Sequence, residues 1–93
     1  MARFRYTSQA LKDLKDYKKA HNKTALVTIK DIQCEIAKNP FALTGKYNPE
    51  RLKGNRSGWY SRRINRCDRF VYRPLSGGTV IDVAQCKGHY DDK

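Results

Sequence analysis

The chain has 93 residues, 39% hydrophobic and 31% charged, with 20 Lys and Arg against 9 Asp and Glu, a net charge of +11 and a pI near 9.9. That is chain enough for one domain with one modest core, too apolar for a disordered tail and without the roughly 20 consecutive apolar residues of a membrane span. Residues 1–93 are expected to form a single cytoplasmic domain, because the N-terminus MARFRYTSQA has no apolar leader, and to meet a polyanion, either a nucleic acid or an acidic protein.

Arg3-Phe4-Arg5-Tyr6 alternates polar with apolar side chains, the period of a short strand with one buried face. Thr7 or Ser8 offers a hydroxyl cap to a helix whose Ala10, Leu11, Leu14 and Tyr17 recur at three- and four-residue intervals. His21-Asn22-Lys23 breaks that pattern, and Asn22 or Thr24 caps a second helix with Ala25, Ile29, Ile32 and Ile36 as its seam, ended by Asn39-Pro40. So short a link predicts an antiparallel helical hairpin. Residues 41–58 lose periodicity and are punctuated by Gly45, Pro49, Gly54 and Gly58, a loop-rich passage. Strand-like runs follow at 59–65, 69–73 and 79–87, with turns at 65–68 and 76–78. The order is β-α-α-β-β-β: an α+β fold with an antiparallel sheet and the helical hairpin packed on one face.

Charge is unevenly spread along this order. Residues 46–73 hold nine cations (Lys46, Arg51, Lys53, Arg56, Arg62, Arg63, Arg66, Arg69, Arg73) and two anions, Glu50 and Asp68, so they carry +7 of the net charge. Seven of the nine are Arg, whereas residues 7–39 have seven Lys and no Arg. Arginine grips planar, doubly accepting groups such as phosphate, and aromatics interleaved with it offer surfaces for bases. Alternation places Trp59, Ser61 and Arg63 on one strand face and Tyr60, Arg62 and Ile64 on the other. Arg69, Val71 and Arg73 likewise oppose Phe70 and Tyr72, and Arg63 and Arg69 become neighbours across a tight hairpin. Taken singly, the aromatics belong to the core, Trp59 and Phe70 above all, and the arginines to a solvated face.

Cys34, Cys67 and Cys86 are odd in number, have no C-x-x-C spacing and have only His21 and His89 to assist them, which argues against a zinc site or a disulfide framework. Glu50 stands among Lys46, Arg51 and Lys53 and on its own reads as a surface salt bridge. His89-Tyr90 follows the last strand where a tail ordinarily frays. RNA cleavage through the 2′-OH needs a base, a cation for the charged phosphorane and an acid for the leaving 5′-oxygen. Glu50, Arg69 and His89 supply one of each, with no metal or cofactor.

Residues 49–72, PERLKGNRSGWYSRRINRCDRFVY, and 85–90, QCKGHY, resemble the YoeB/Txe branch of the RelE-like toxins of bacterial toxin–antitoxin modules. The specific blocks are Pro-Glu-x-Leu-Lys-x-Asn-x-Ser-Gly-aromatic, Ser-Arg-Arg-Ile, Asp-Arg-x-Val-Tyr and the late His-Tyr. What the resemblance implies is a RelE-like fold, similar to the microbial ribonucleases, and a ribosome-dependent endoribonuclease cutting mRNA in the A site. In that scheme Glu50 is the general base, His89 the general acid and Arg69 the phosphate stabiliser, helped by Lys53 and Arg63, while Tyr90 orients the mRNA. Arg62, Lys46, Arg51 and Arg56 are the further RNA-binding candidates. The products would be a 2′,3′-cyclic phosphate and a 5′-OH. The implied partners are the ribosome, A-site mRNA and a YefM-like antitoxin with an acidic C-terminal segment, in a homodimer or a toxin–antitoxin hetero-oligomer. This chain departs from the family pattern in continuing past the Tyr with Asp91-Asp92-Lys93, anions that favour a protonated histidine but repel phosphate. Two alternatives stand beside this one: a basic RNA-binding module without catalysis, and a ParE-like toxin that inhibits gyrase by protein contact.

Overall fold

In the computed structural model, which describes residues 2–88, the N-terminal alternation is a strand, β1 (Arg3–Tyr6), and the two amphipathic runs are helices α1 (Ser8–Lys19) and α2 (Lys23–Lys38). Each helix is started by a side chain that satisfies an otherwise orphaned backbone donor. Thr7 Oγ1 accepts from Ala10 N–H at 3.1 Å, and Asn22 Oδ1 accepts from Ala25 N–H at 3.1 Å. Asn39, extended and followed by Pro40, ends α2. The seam of Ala25, Ile29, Ile32 and Ile36 is buried, as are Ala10 and Tyr17 of α1. Asp13 is a carboxylate within that buried stripe, 3% exposed.

The remaining strands are β2 (Glu50–Arg51), β3 (Tyr60–Arg63), β4 (Arg69–Leu75) and β5 (Val80–Gln85), in the sheet order β1-β5-β4-β3-β2. The α+β class and the helical hairpin on one face are as expected; the sheet has one strand more than the expected β-α-α-β-β-β order, and the pairing differs at both edges. β1 runs parallel to β5, so the sheet is mixed rather than wholly antiparallel. At the other edge the loop-rich passage contains β2, two residues paired antiparallel with β3. Two residues are too few to show a period, so only the partner strand reveals them. The expected strand at 79–87 stops at Gln85, and β4 runs past Arg73 through Pro74. Proline is tolerated there because β3 ends at Tyr60, opposite Tyr72, and leaves that side of β4 unpaired.

Tyr60, Ile64, Phe70, Tyr72, Ile81 and Val83 meet the helical hairpin in one core. Each large side chain buried there contributes about 1.5–3 kcal/mol. Gly78, at φ +95, brings the turn between β4 and β5 against the end of α2, where an added Cβ would lie 2.9 Å from Pro40 Cγ.

Candidate active site

Residues paired across a sheet share a face, so the register sets out the surface turned away from the helices. Glu50 pairs with Ser61, Ser61 with Val71, and Val71 with Gln85, giving one row across four strands. Arg63 and Arg69 pair in the next row, and Arg73, Asp82 and Arg5 form the row on the opposite side. Adjacent rows lie two residues, or about 6.8 Å, apart along the strands. Glu50 and Arg63 are therefore diagonal neighbours, a relation that spans about 7–8 Å in an antiparallel pair. The expected Arg63–Arg69 pair is present, with a carboxylate beside it.

Ionic partners divide the cations of this region. Arg5 and Arg73 both bind Asp82, at 2.7 and 3.5 Å, which holds that carboxyl below its ordinary range through the Arg5 hydrogen bond first. Lys46 pairs with Asp31 of α2 at 3.5 Å. Among the described residues, Glu50, Arg51, Lys53, Arg56 and Arg63 make no ion pair, so the surface salt bridge that Glu50 suggests in isolation is not formed. Glu50, Arg51, Lys53 and Arg56 line an open pocket of ≈ 580 Å³ with Leu43, Pro49 and Leu52. Unsatisfied charge of both signs thus gathers at the β2 edge, where a phosphate diester with a nearby hydroxyl fits the chemistry.

Two candidates are placed elsewhere. Arg62 is not a ligand-facing cation: its side chain is 1% exposed, on the helix side of the sheet. There Nη1 donates to the Lys46 carbonyl at 3.0 Å and lies 3.9 Å from Glu35 of α2, and Nε faces the Tyr72 hydroxyl at 3.3 Å. Those partners explain why a full charge is buried at that point. Lys46 lines no part of the pocket, being drawn to α2 through Asp31. Trp59, expected in the core, is half-buried instead and carries the Arg73 guanidinium 4.6 Å from its ring centroid. Phe70 is in the core as expected.

His89 and Tyr90 lie outside the described residues, but the chain leading to them does not. Arg69 N–H donates to the Gly88 carbonyl at 3.1 Å, so the backbone just before His89 runs beside the strand that bears Arg69. Two further features have no signal in the sequence. Ser61 Oγ, in the row shared with Glu50, is buried with no hydrogen-bond partner among the described residues. Asp68, inside a recognised block yet without an assigned role, accepts hydrogen bonds from three segments.

Residues 6–90 match the family model described as the YoeB-like toxin of bacterial type II toxin–antitoxin systems. The chain is 36% identical to Toxin YoeB of Streptomyces coelicolor over 88 residues, covering 95% of this chain and 99% of that protein. A YoeB–YefM complex from Staphylococcus aureus superposes with a TM-score of 0.82 at 37% identity, covering 97% and 99% of the two chains. A YoeB dimer from the same organism superposes with a TM-score of 0.83 at 36% identity, covering 96% and 98%.

Proposed function

Because the chain belongs to the YoeB-like toxin family of bacterial type II toxin–antitoxin systems, we propose that it is a ribosome-dependent endoribonuclease that cuts mRNA in the decoding site and so stops translation in the cytoplasm. The observation that carries this reading is the sheet register: it sets the Glu50 carboxylate, without an ionic partner among the described residues, diagonal to the Arg63–Arg69 pair on the face free of helices.

Glu50 takes the proton from the 2′-OH, whose oxygen then attacks the adjacent phosphorus in line. Arg69 and Arg63 face the extra negative charge of the phosphorane, and Lys53 in the neighbouring pocket adds to that field. His89 protonates the departing 5′-oxygen, leaving a 2′,3′-cyclic phosphate on one fragment and a 5′-OH on the other. Tyr90 orients the mRNA, and Arg51 and Arg56 hold flanking phosphates. No step calls for a metal or a cofactor. DNA, lacking the 2′-OH, is bound but not cut. The same unpaired cations suit a YefM-like antitoxin whose acidic segment covers them, in a hetero-oligomer or beside a toxin homodimer.

The test is primer extension on mRNA in programmed bacterial ribosomes, with naked mRNA as control. The wild-type protein gives discrete cuts in the decoding site. Glu50→Ala and His89→Ala each lower the cleavage rate by roughly 10²- to 10⁴-fold, the span for losing a general base or acid, while ribosome binding is kept. Binding without cutting by the folded wild-type protein points to a non-catalytic RNA-binding module, and failure to bind ribosomes points to a gyrase inhibitor.

A further inference from the structure

The last strand ends at Gln85, yet hydrogen bonds from α1 and from the turn before β4 hold Cys86 and Gly88 beyond it. Asp13 Oδ2 accepts from Cys86 N–H at 2.8 Å. The Tyr17 hydroxyl lies 2.8 Å from the Cys86 carbonyl and 2.7 Å from Asp68 Oδ2, so its one proton is shared between two acceptors. Asp68 Oδ1 accepts from Gly88 N–H at 2.8 Å, and the Gly88 carbonyl accepts from Arg69 N–H. Asn65 Nδ2 braces Asp68 from the turn, and Lys87 Nζ sits 5.4 Å from the Tyr17 ring centroid. Gly88 itself is at φ +77, a conformation that favours glycine.

Such a clamp is costly. Asp13 is 3% exposed and Tyr17 equally so, and a carboxylate in a helix seam is expensive unless its hydrogen bonds are used. Here two helical side chains and a turn aspartate are committed to the three residues that precede His89.

We propose that Asp68, braced by Tyr17, is a positioning residue for RNA cleavage: it fixes the Gly88 backbone against Arg69, and so sets the point from which the chain delivers its acid to the phosphate. The inference rests on the reading of His89 as that acid. A carboxylate suits the task because Oδ1 and Oδ2 grip the tail and α1 separately, which ties the tail to the hairpin and to the sheet at once. Losing the grip leaves the pocket and Glu50, which the Asp68 side chain does not touch, and the strand pairing of Arg63 with Arg69 in place, so substrate binding is expected to survive while the acid's placement does not.

The experiment measures cleavage on programmed ribosomes as a function of ribosome concentration, with amide hydrogen exchange at Gly88, for full-length Asp68→Ala, Asp68→Asn, Tyr17→Phe and His89→Ala. Asp68→Ala lowers kcat by about 10²-fold, the cost of a misplacement near 1 Å, with KM little changed and faster exchange at Gly88. Asp68→Asn keeps an acceptor for Gly88 N–H and recovers most of the rate. Tyr17→Phe falls between them. Adding Asp68→Ala to His89→Ala brings no further loss, since both act through one group. Wild-type kcat in folded Asp68→Ala, or losses that multiply in the double variant, overturn the proposal. If His89→Ala cuts normally, the assignment of the acid itself has failed; if His89→Ala is inactive while Asp68→Ala is not, only the clamp has.

Discussion

The two faces of the sheet treat the same residue type in opposite ways, and Arg62 and Arg63 show it side by side. Arg62 points into the helix-covered face, where Glu35, the Lys46 carbonyl and the Tyr72 hydroxyl surround it. Arg63 points to the bare face, exposed, without an ionic partner among the described residues and paired across the sheet with Arg69. One position along a strand exchanges a buried, partnered cation for an exposed one, because alternation in a pleated strand reverses the side chain. On this surface, cations whose charge is answered within the protein build the fold, and those left unanswered are the ones the proposed function assigns to RNA.

The largest effect should come from the covered face. Arg62→Ala is expected to cost about 3–5 kcal/mol in urea unfolding, because it opens a cavity and strands the groups that faced the guanidinium. Arg62→Met, of similar volume, should recover much of that. A mild Arg62→Ala would mean that the buried charge is not integral to the core.

On the bare face, Arg63→Ala should leave stability within about 0.5 kcal/mol of wild type. It should weaken ribosome binding and lower the slope of log affinity against log salt by about one. A stability loss comparable with that of Arg62 would erase the distinction.

A smaller effect is expected at acid pH. Asp82, held below the ordinary carboxylate range by the Arg5 hydrogen bond, binds its proton more readily in the unfolded chain than in the folded one. Its contribution is present above the unfolded value near 4 and is lost as pH falls through the folded value. Burial works to raise the pKa of Asp68, but the hydrogen bonds from Gly88, Tyr17 and Asn65 and the Lys87 charge outweigh it, so Asp68 acts with the same sign. Asp82→Asn should therefore flatten the acid limb of a stability profile below about pH 4; an unchanged limb would show that the Arg5–Asp82–Arg73 row adds nothing.

Lys46→Ala should have the least effect. Its pairing with Asp31 is exposed and contributes about 0–1 kcal/mol, and cleavage should stay near wild type because the side chain is directed to α2 rather than to the pocket. A marked loss of cutting would return Lys46 to the RNA-binding set.

The sequence by itself determined what repeats locally. The seam of Ile29, Ile32 and Ile36, a cap at Thr7 or Ser8 and another at Asn22 or Thr24, and the alternation through 59–65 and 69–73 are each visible within a few residues, which is the range over which helix and strand periods act. Alternation also sets Arg62 beside Tyr60 and Ile64; its charge suggests an RNA ligand, and only the packing of Glu35 and Tyr72 around it shows that its position decides. Glu50, Arg69 and His89 stand out as candidates because they lie in recognisable blocks. Tertiary structure alone decided the parallel seat of β1 on β5, the two-residue β2 that sets Glu50 beside Ser61, and the hold of Asp13, Tyr17 and Asp68 on the approach to His89. Each joins residues distant in the chain: Tyr17 and Asp68 are 51 positions apart, Asp13 and Cys86 73 apart. Contacts across such distances depend on which elements pack together, and no local period encodes that.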